Sequence, residues 1–265
     1  MMEGYKKGII TDERLEEALT RILGTKAALG LHKKAKTEIL PVKEEAMAKI
    51  GLDENKEIAK EVSDKAITLV KNTQDILPIS PEKTKRVLLV DVKGFDGGFG
   101  KFIELMGGAK KKPIEIVKEL LEAEGFEVEI WESPIDKIMK LPKEELPKAL
   151  GNIYAGKRPI SELTSKYDLI INIANVNPSV DQRVQWPPSK GTPDIPFYVN
   201  EIPTIFVSVK CPFHLADVPQ VKTYINTYDE NQNTLEALVE KLVGRSEFTG
   251  VSPVDAFCGL LDTQY

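Results

Sequence analysis

The chain has 265 residues, of which 42% are hydrophobic and 29% charged, with a formal net charge of −5. That length can bury a sizeable core, and the mild acidity argues against nucleic acid as a partner, which would want a basic surface. No run of about 18 apolar residues occurs, which argues against a membrane span.

Near the start, Thr11 followed by Asp12 and Glu13 has the form of a helix N-terminus: a hydroxyl cap, then acids at the positive end of the dipole. Leu15, Leu19, Ile22, Leu23 and Ala27 follow at helical spacing, and Gly30 is placed to end the helix. An amphipathic helix of this kind must bury its stripe against some partner surface. No charged-then-apolar leader precedes it, so the chain taken by itself reads as cytoplasmic. Residues 32–55 are rich in Lys and Glu, contain Pro41 and Gly51, and read as a linker with a short helix. In "NKEIAKEVSDKAITLVKN" the helical spacing returns through Ile58, Val62, Ala66, Leu69 and Val70, until the prolines of "DILPISPEK" break it.

From Arg86 the period changes. "RVLLVDV" is a continuous apolar run of the kind a strand shows when both of its faces are buried. A glycine-rich loop follows, then a helix around Pro113–Glu124 with proline in its first turn. "FEVEIW", "YDLIINIAN", "PTIFVSV" and "VKTYINTY" are four more strands, and "NQNTLEALVEKLVG" is a closing helix with Leu235, Leu238, Val239 and Leu242 on one face. Strands alternating with helices predict α/β crossover units. The expected fold is a three-layer α/β/α sandwich with a mostly parallel sheet of five to six strands, preceded by an extra N-terminal helix. The expected division is a residual helix and linker over 1–55 and the sandwich over 56–265.

Candidate chemistry is sparse. Gly94, Gly97, Gly98 and Gly100 sit between the first strand and the next helix, but their spacing is neither G-x-G-x-x-G nor a phosphate-binding P-loop frame, and Glu132 is a poor ribose-binding acid. His214 lies in "CPFHLADV" with Asp217 close by, but no G-x-S-x-G elbow exists, and a hydrogen-bonded imidazole in a packed loop is the expectation. Cys211 and Cys258 show no zinc-type spacing and read as two buried thiols. No metal and no cofactor is expected. The stretch Val176–Ile202 is long for a connection within a compact domain, and loops of that size tend to be functional or interfacial. Asn175, Asn177, Asp181, Arg183 and Trp186 fall beyond the third strand, where open α/β sheets bind ligands. A flat aromatic with polar forks suits a sugar, so these five are the candidate ligand-binding residues. The competing reading is that the loop covers a sheet edge or docks on a neighbouring domain.

Three blocks carry a family resemblance. "ITDERLEEALTRILGTKAALGL" resembles the helix that follows the catalytic barrel of family 3 glycoside hydrolases. "AKEVSDKAITLVKNTQDILPI" is similar to that family's entry into its second domain. The block from "EIPTIFVSVKCPFHLADV" to "SEFTGVSPVD" resembles the end of its β-N-acetylhexosaminidase branch. The resemblance covers the chain from residue 9 onward. It implies a bacterial two-domain parent: a barrel with an aspartate nucleophile and a histidine–aspartate pair, then an α/β/α sandwich. This chain matches only the tail of the first and all of the second. No Asp-His step occurs: Leu31 precedes His32, and Phe213 precedes His214. No catalytic residue is therefore carried onto this sequence, and the chain alone is expected to be inactive. The implied role is a sandwich that buttresses the barrel, in cis or in trans, in retaining hydrolysis of terminal N-acetylglucosamine from cell-wall or chitin fragments. The alternatives are a free-standing carbohydrate- or peptidoglycan-binding module, or the second chain of a split hydrolase. The exposed N-terminal helix could also join copies into a homo-oligomer.

Overall fold

The computed structural model describes residues 1–40, 42–94, 111–132, 141–148, 160–176, 184–185 and 198–265. The chain divides into two compact units, Met1–Lys56 and Glu57–Tyr265.

The first unit is helical: α1 (Met2–Lys6), α2 (Asp12–Ala28), α3 (Lys36–Ile39) and α4 (Lys43–Ala48). The cap of α2 forms as its sequence predicts, with Thr11 Oγ1 accepting from the Arg14 amide at 3.2 Å. The chain leaves the helix through Gly30 in the left-handed region, at φ 66°. None of the described residues of this unit is buried, and Leu19, Ile22 and Leu23 of the α2 stripe are exposed. Here a helix has the right pattern but no core to place it in.

α5 (Asp53–Ala66) runs into the second unit, where the sheet begins. The helical reading through Leu69 and Val70 is corrected at this point: α5 stops at Ala66, and Thr68–Asn72 forms strand β1. The reason is tertiary. Thr68 to Asn72 pair antiparallel with β7 (Thr223–Asn226), and cross-strand pairing outweighs a local helical period. The remaining strands are β2 (Arg86–Gly94), β3 (Glu127–Ile130), β4 (Leu169–Ala174), β5 (Val184–Gln185) and β6 (Thr204–Ser208). Six strands form one path in the order β1-β7-β6-β4-β2-β3, and β5 adds antiparallel to the end of β2. From β7 to β3 all neighbours are parallel.

Both faces of this sheet are buried, which explains the unbroken apolar runs. Alternate residues face opposite ways: Val87, Leu89, Leu169, Ile171, Ile205 and Val207 on one face, and Leu88, Val90, Ile170 and Phe206 on the other. The first face is covered by α6 (Pro113–Ala123) through Ile114, Val117 and Leu121, and by α8 (Gln232–Leu242) through Leu235, Leu238 and Leu242. The second is covered by α7 (Ile160–Lys166) and by the segments around Tyr198–Ile202 and Leu215–Val221. This is the expected α/β sandwich. Each of these aliphatic side chains contributes about 1.5–3 kcal/mol on full burial.

Two charged anchors tie the layers. The Arg86 guanidinium forks onto Asp168 at 2.6 and 3.3 Å, and Asp168 Oδ2 also accepts from the Arg86 amide at 2.9 Å. That fork joins the starts of β2 and β4 and holds the Asp168 carboxyl below its ordinary range. Lys241 on α8 is wholly buried and donates to Glu247 O at 2.6 Å and Ser246 Oγ at 3.0 Å, with Asp64 Oδ1 at 3.0 Å. Both cysteines are free. Cys211 is buried, but Cys258 is exposed in a turn at φ 55°, so the expectation of two buried thiols is corrected for Cys258. No helix among the described residues is long and apolar enough to cross a membrane.

Candidate functional site

The strand order defines where a ligand would sit. From β2 the chain moves outward to β3, then returns to place β4 on the other side of β2. The switch point therefore lies between β2 and β4, and the crevice beyond their carboxyl ends is the usual binding place in such sheets. Asn175 stands one residue past β4, at this edge. Its Nδ2 donates to Glu230 Oε2 at 2.7 Å, and Glu230 also pairs with Lys210 at 2.9 Å. The Oδ1 of Asn175 is buried without a hydrogen-bond partner among the described residues. The polar network Asn175–Glu230–Lys210 thus links residues that follow β4, β7 and β6. Of the five residues expected at the site, the structure places this one. Asn177, Asp181, Arg183 and Trp186 lie outside the described residues, as do Gly97, Gly98 and Gly100 of the glycine-rich loop.

Beneath the edge is a second polar group, set by strand register. Asn172, Phe206 and Tyr224 stand in one row across β4, β6 and β7, and Ala174, Ser208 and Asn226 in the next row toward the carboxyl ends. Phe206 and Tyr224 stack with centroids 5.5 Å apart. Tyr198 donates to Asn172 Oδ1 at 3.0 Å, which holds the returning end of the long loop on the sheet. The loop after β6 folds back over Ser208, whose hydroxyl donates to Cys211 O at 2.5 Å and lies 2.8 Å from His214 Nδ1.

Those two contacts assign the protons. The serine hydrogen is taken by the carbonyl, so Nδ1–H of His214 is the donor to Oγ, and Nε2 is left as a bare, buried acceptor. Burial pushes the His214 pKa down to about 4 against a smaller opposing pull from Asp217, and the ring is neutral. A serine whose proton is engaged elsewhere and whose imidazole donates to it is not an activated nucleophile. With His214 only 2% exposed, the pair is a loop anchor, the packed arrangement expected for this histidine. Asp217 extends the anchor by accepting from the Val184 amide at 3.1 Å, fastening β5.

Among the described residues, Asn172 Nδ2, His214 Nε2 and Asn226 Oδ1 are buried without hydrogen-bond partners, while the Tyr224 phenol interacts with Ser208 and the Leu215 backbone. Burial raises the Tyr224 and Tyr198 phenols above their ordinary range, so both stay protonated. Sequence reasoning missed Asn172, Ser208 and Asn226. The signal was available as a polar residue inside the apolar run of β4 and at the carboxyl ends of β6 and β7, but only register shows that they lie side by side. Among the described residues no group of three or more His, Cys, Asp or Glu side chains is placed to hold a metal ion.

Comparison with known proteins gives the frame for this site. No family model matches the chain. A β-N-acetylglucosaminidase/β-glucosidase of Cellulomonas fimi is 36% identical over 267 residues, which is 99% of this chain and 42% of that protein. A solved β-glucoside phosphorylase, BglX, is 37% identical and superposes with a TM-score of 0.68, again over 99% of this chain and 42% of the other. A glycoside hydrolase family 3 β-N-acetylglucosaminidase from Paenibacillus sp. shows 18% identity and a TM-score of 0.47, over 94% of this chain and 40% of its own. The chain spans under half the length of each of these relatives. Over nearly its whole length the chain is similar to under half of a β-N-acetylglucosaminidase/β-glucosidase and of a β-glucoside phosphorylase, the relation expected of the α/β-sandwich part of a longer family 3 glycoside hydrolase.

Proposed function

We propose that the chain is the non-catalytic sandwich of a family 3 enzyme that releases terminal N-acetylglucosamine, with the chemistry carried by a barrel in cis or in trans. The supporting observation is the pair of coverages: nearly every residue here aligns with the Cellulomonas fimi protein, yet more than half of that protein lies outside the match. In a retaining mechanism the missing part would carry the nucleophile and form the covalent glycosyl–enzyme intermediate. The sandwich would contribute a rigid carboxyl edge facing the sugar site. On this reading Asn175, at the switch point, and Asn177, Asp181, Arg183 and Trp186 contact the glycan.

The test is turnover. The purified chain, incubated with a chromogenic N-acetylglucosaminide, is expected to release no chromophore above a buffer blank, and release proportional to protein would refute the proposal. Fusion to the unmatched part of the Cellulomonas fimi protein is expected to restore activity.

A second reading concerns the acceptor. The 0.68 TM-score match is to a protein named a β-glucoside phosphorylase. The fused protein is therefore also to be assayed on a chromogenic glucoside, with and without inorganic phosphate. Faster release in phosphate, with a sugar phosphate as product, favours phosphorolysis over hydrolysis.

A further inference from the structure

Helix α5 is oriented against its own pattern. On the side facing the sandwich it presents polar groups: Ser63, its one buried residue, accepts from Thr234 Oγ1 at 3.1 Å, and Asp64 accepts from Ser246 Oγ at 2.6 Å and meets Lys241 at 3.0 Å. Its apolar residues point outward. Ile58 is 53% exposed and Val62 61%, one turn apart on the same stripe. A surface helix ordinarily turns its apolar stripe to the body it packs on. Scattered exposed aliphatics need no explanation, but a reversed helix does, because the ordinary orientation was open to the same sequence.

Gly250 lies against the carbonyls of Ala66 and Ile67 so closely that a Cβ there would stand 2.4 Å from Ile67 O. The next residue, Val251, is 87% exposed. Val251 therefore stands exposed beside the carboxyl end of α5.

We propose that Ile58, Val62 and Val251 form the seat for the remaining polypeptide of the family architecture; this rests on the family reading above. Two arguments select that occupant over a second copy of the chain. Three aliphatic side chains expose far less than the about 800 Å² per partner that a stable free interface buries. A domain tethered in the same chain is held at an effective concentration in the millimolar range, so a small apolar seat suffices for it. The relatives supply such a tethered partner, since the matched part is only 42% of their length.

Hydroxyl-radical footprinting tests this on two proteins, the free chain and a full-length chimera in which the chain replaces its counterpart in the Cellulomonas fimi enzyme. Labelling of Ile58, Val62 and Val251 is expected to fall at least threefold in the chimera. Equal labelling in a chimera that turns over substrate overturns the seat and leaves the family reading standing. Protection already present in the free chain also overturns it: if independent of concentration, the occupant is the chain's own N-terminal unit, and if it grows with concentration, a second copy. A chimera with neither turnover nor a cooperative melt removes the family reading and the seat with it.

Discussion

The neutral, buried His214 makes stability depend on pH in a window where few other groups titrate. Its pKa in the folded chain is about 4, against about 6.5 for a solvated imidazole. Between those values the unfolded chain binds a proton that the folded chain refuses, so stability rises with pH there. The contribution is complete above pH about 6.5, declines as the pH falls, and is gone below about 4. A shift of this size corresponds to about 3 kcal/mol, a large share of the 5–15 kcal/mol typical of a domain. Urea unfolding at half-unit steps from pH 7.5 to 4.5 reads it directly. The control is His214→Asn, whose amide can replace the Nδ1–H donor to Ser208 and cannot titrate. That variant is expected to be less stable at pH 7.5 by roughly 1–2 kcal/mol through lost packing, with a nearly flat profile down to pH 5. Asp64 and Asp168, both held below the ordinary carboxylate range, lose their contribution only at lower pH and do so in both proteins. Parallel profiles for wild type and His214→Asn would refute the burial argument, since the slope would then come from elsewhere.

Other substitutions test the packing that holds the site. Gly250→Ala pushes a methyl into the Ile67 carbonyl and is expected to cost about 1–3 kcal/mol in urea unfolding. Lys241→Met keeps the aliphatic volume but leaves Ser246 Oγ and Glu247 O without their donor; a loss of about 1–3 kcal/mol is expected. Asp168→Asn weakens a partly exposed fork, and its melting midpoint should show no more than about 1 kcal/mol. The double substitution I58K/V62K should leave the free chain within about 0.5 kcal/mol of wild type, because both side chains are more than half exposed there.

The sheet was legible because both of its faces are buried. "RVLLVDV", "YDLIINIAN" and "PTIFVSV" have no alternation to misread, and each became a parallel strand. β1 was misread because Leu69 and Val70 happen to continue the spacing of Ile58, Val62 and Ala66. A strand that exists by pairing with β7, more than 150 residues away, leaves no local trace of that partner. β5 is two residues long and depends on the end of β2, so nothing in "VQ" announces it. The buried polar group was hidden for a related reason. Asn172, Ser208 and Asn226 are unremarkable one at a time and become a group only through the register of β4, β6 and β7.

The helices show a different limit. Periodicity marks which residues share a face but not which way the face points. α8 and α5 carry similar stripes; α8 turns Leu235, Leu238 and Leu242 into the core, while α5 turns Ser63 and Asp64 inward and Ile58 outward. The difference is decided by Lys241, a fully buried cation on α8 that requires an anion opposite it. Asp64 meets that requirement only if α5 rolls its polar side toward the sandwich. The buried charge thus fixes the helix orientation, and the exposed apolar strip is its consequence: the same ion pair that joins α5 to the sandwich presents Ile58 and Val62 to whatever lies on the other side.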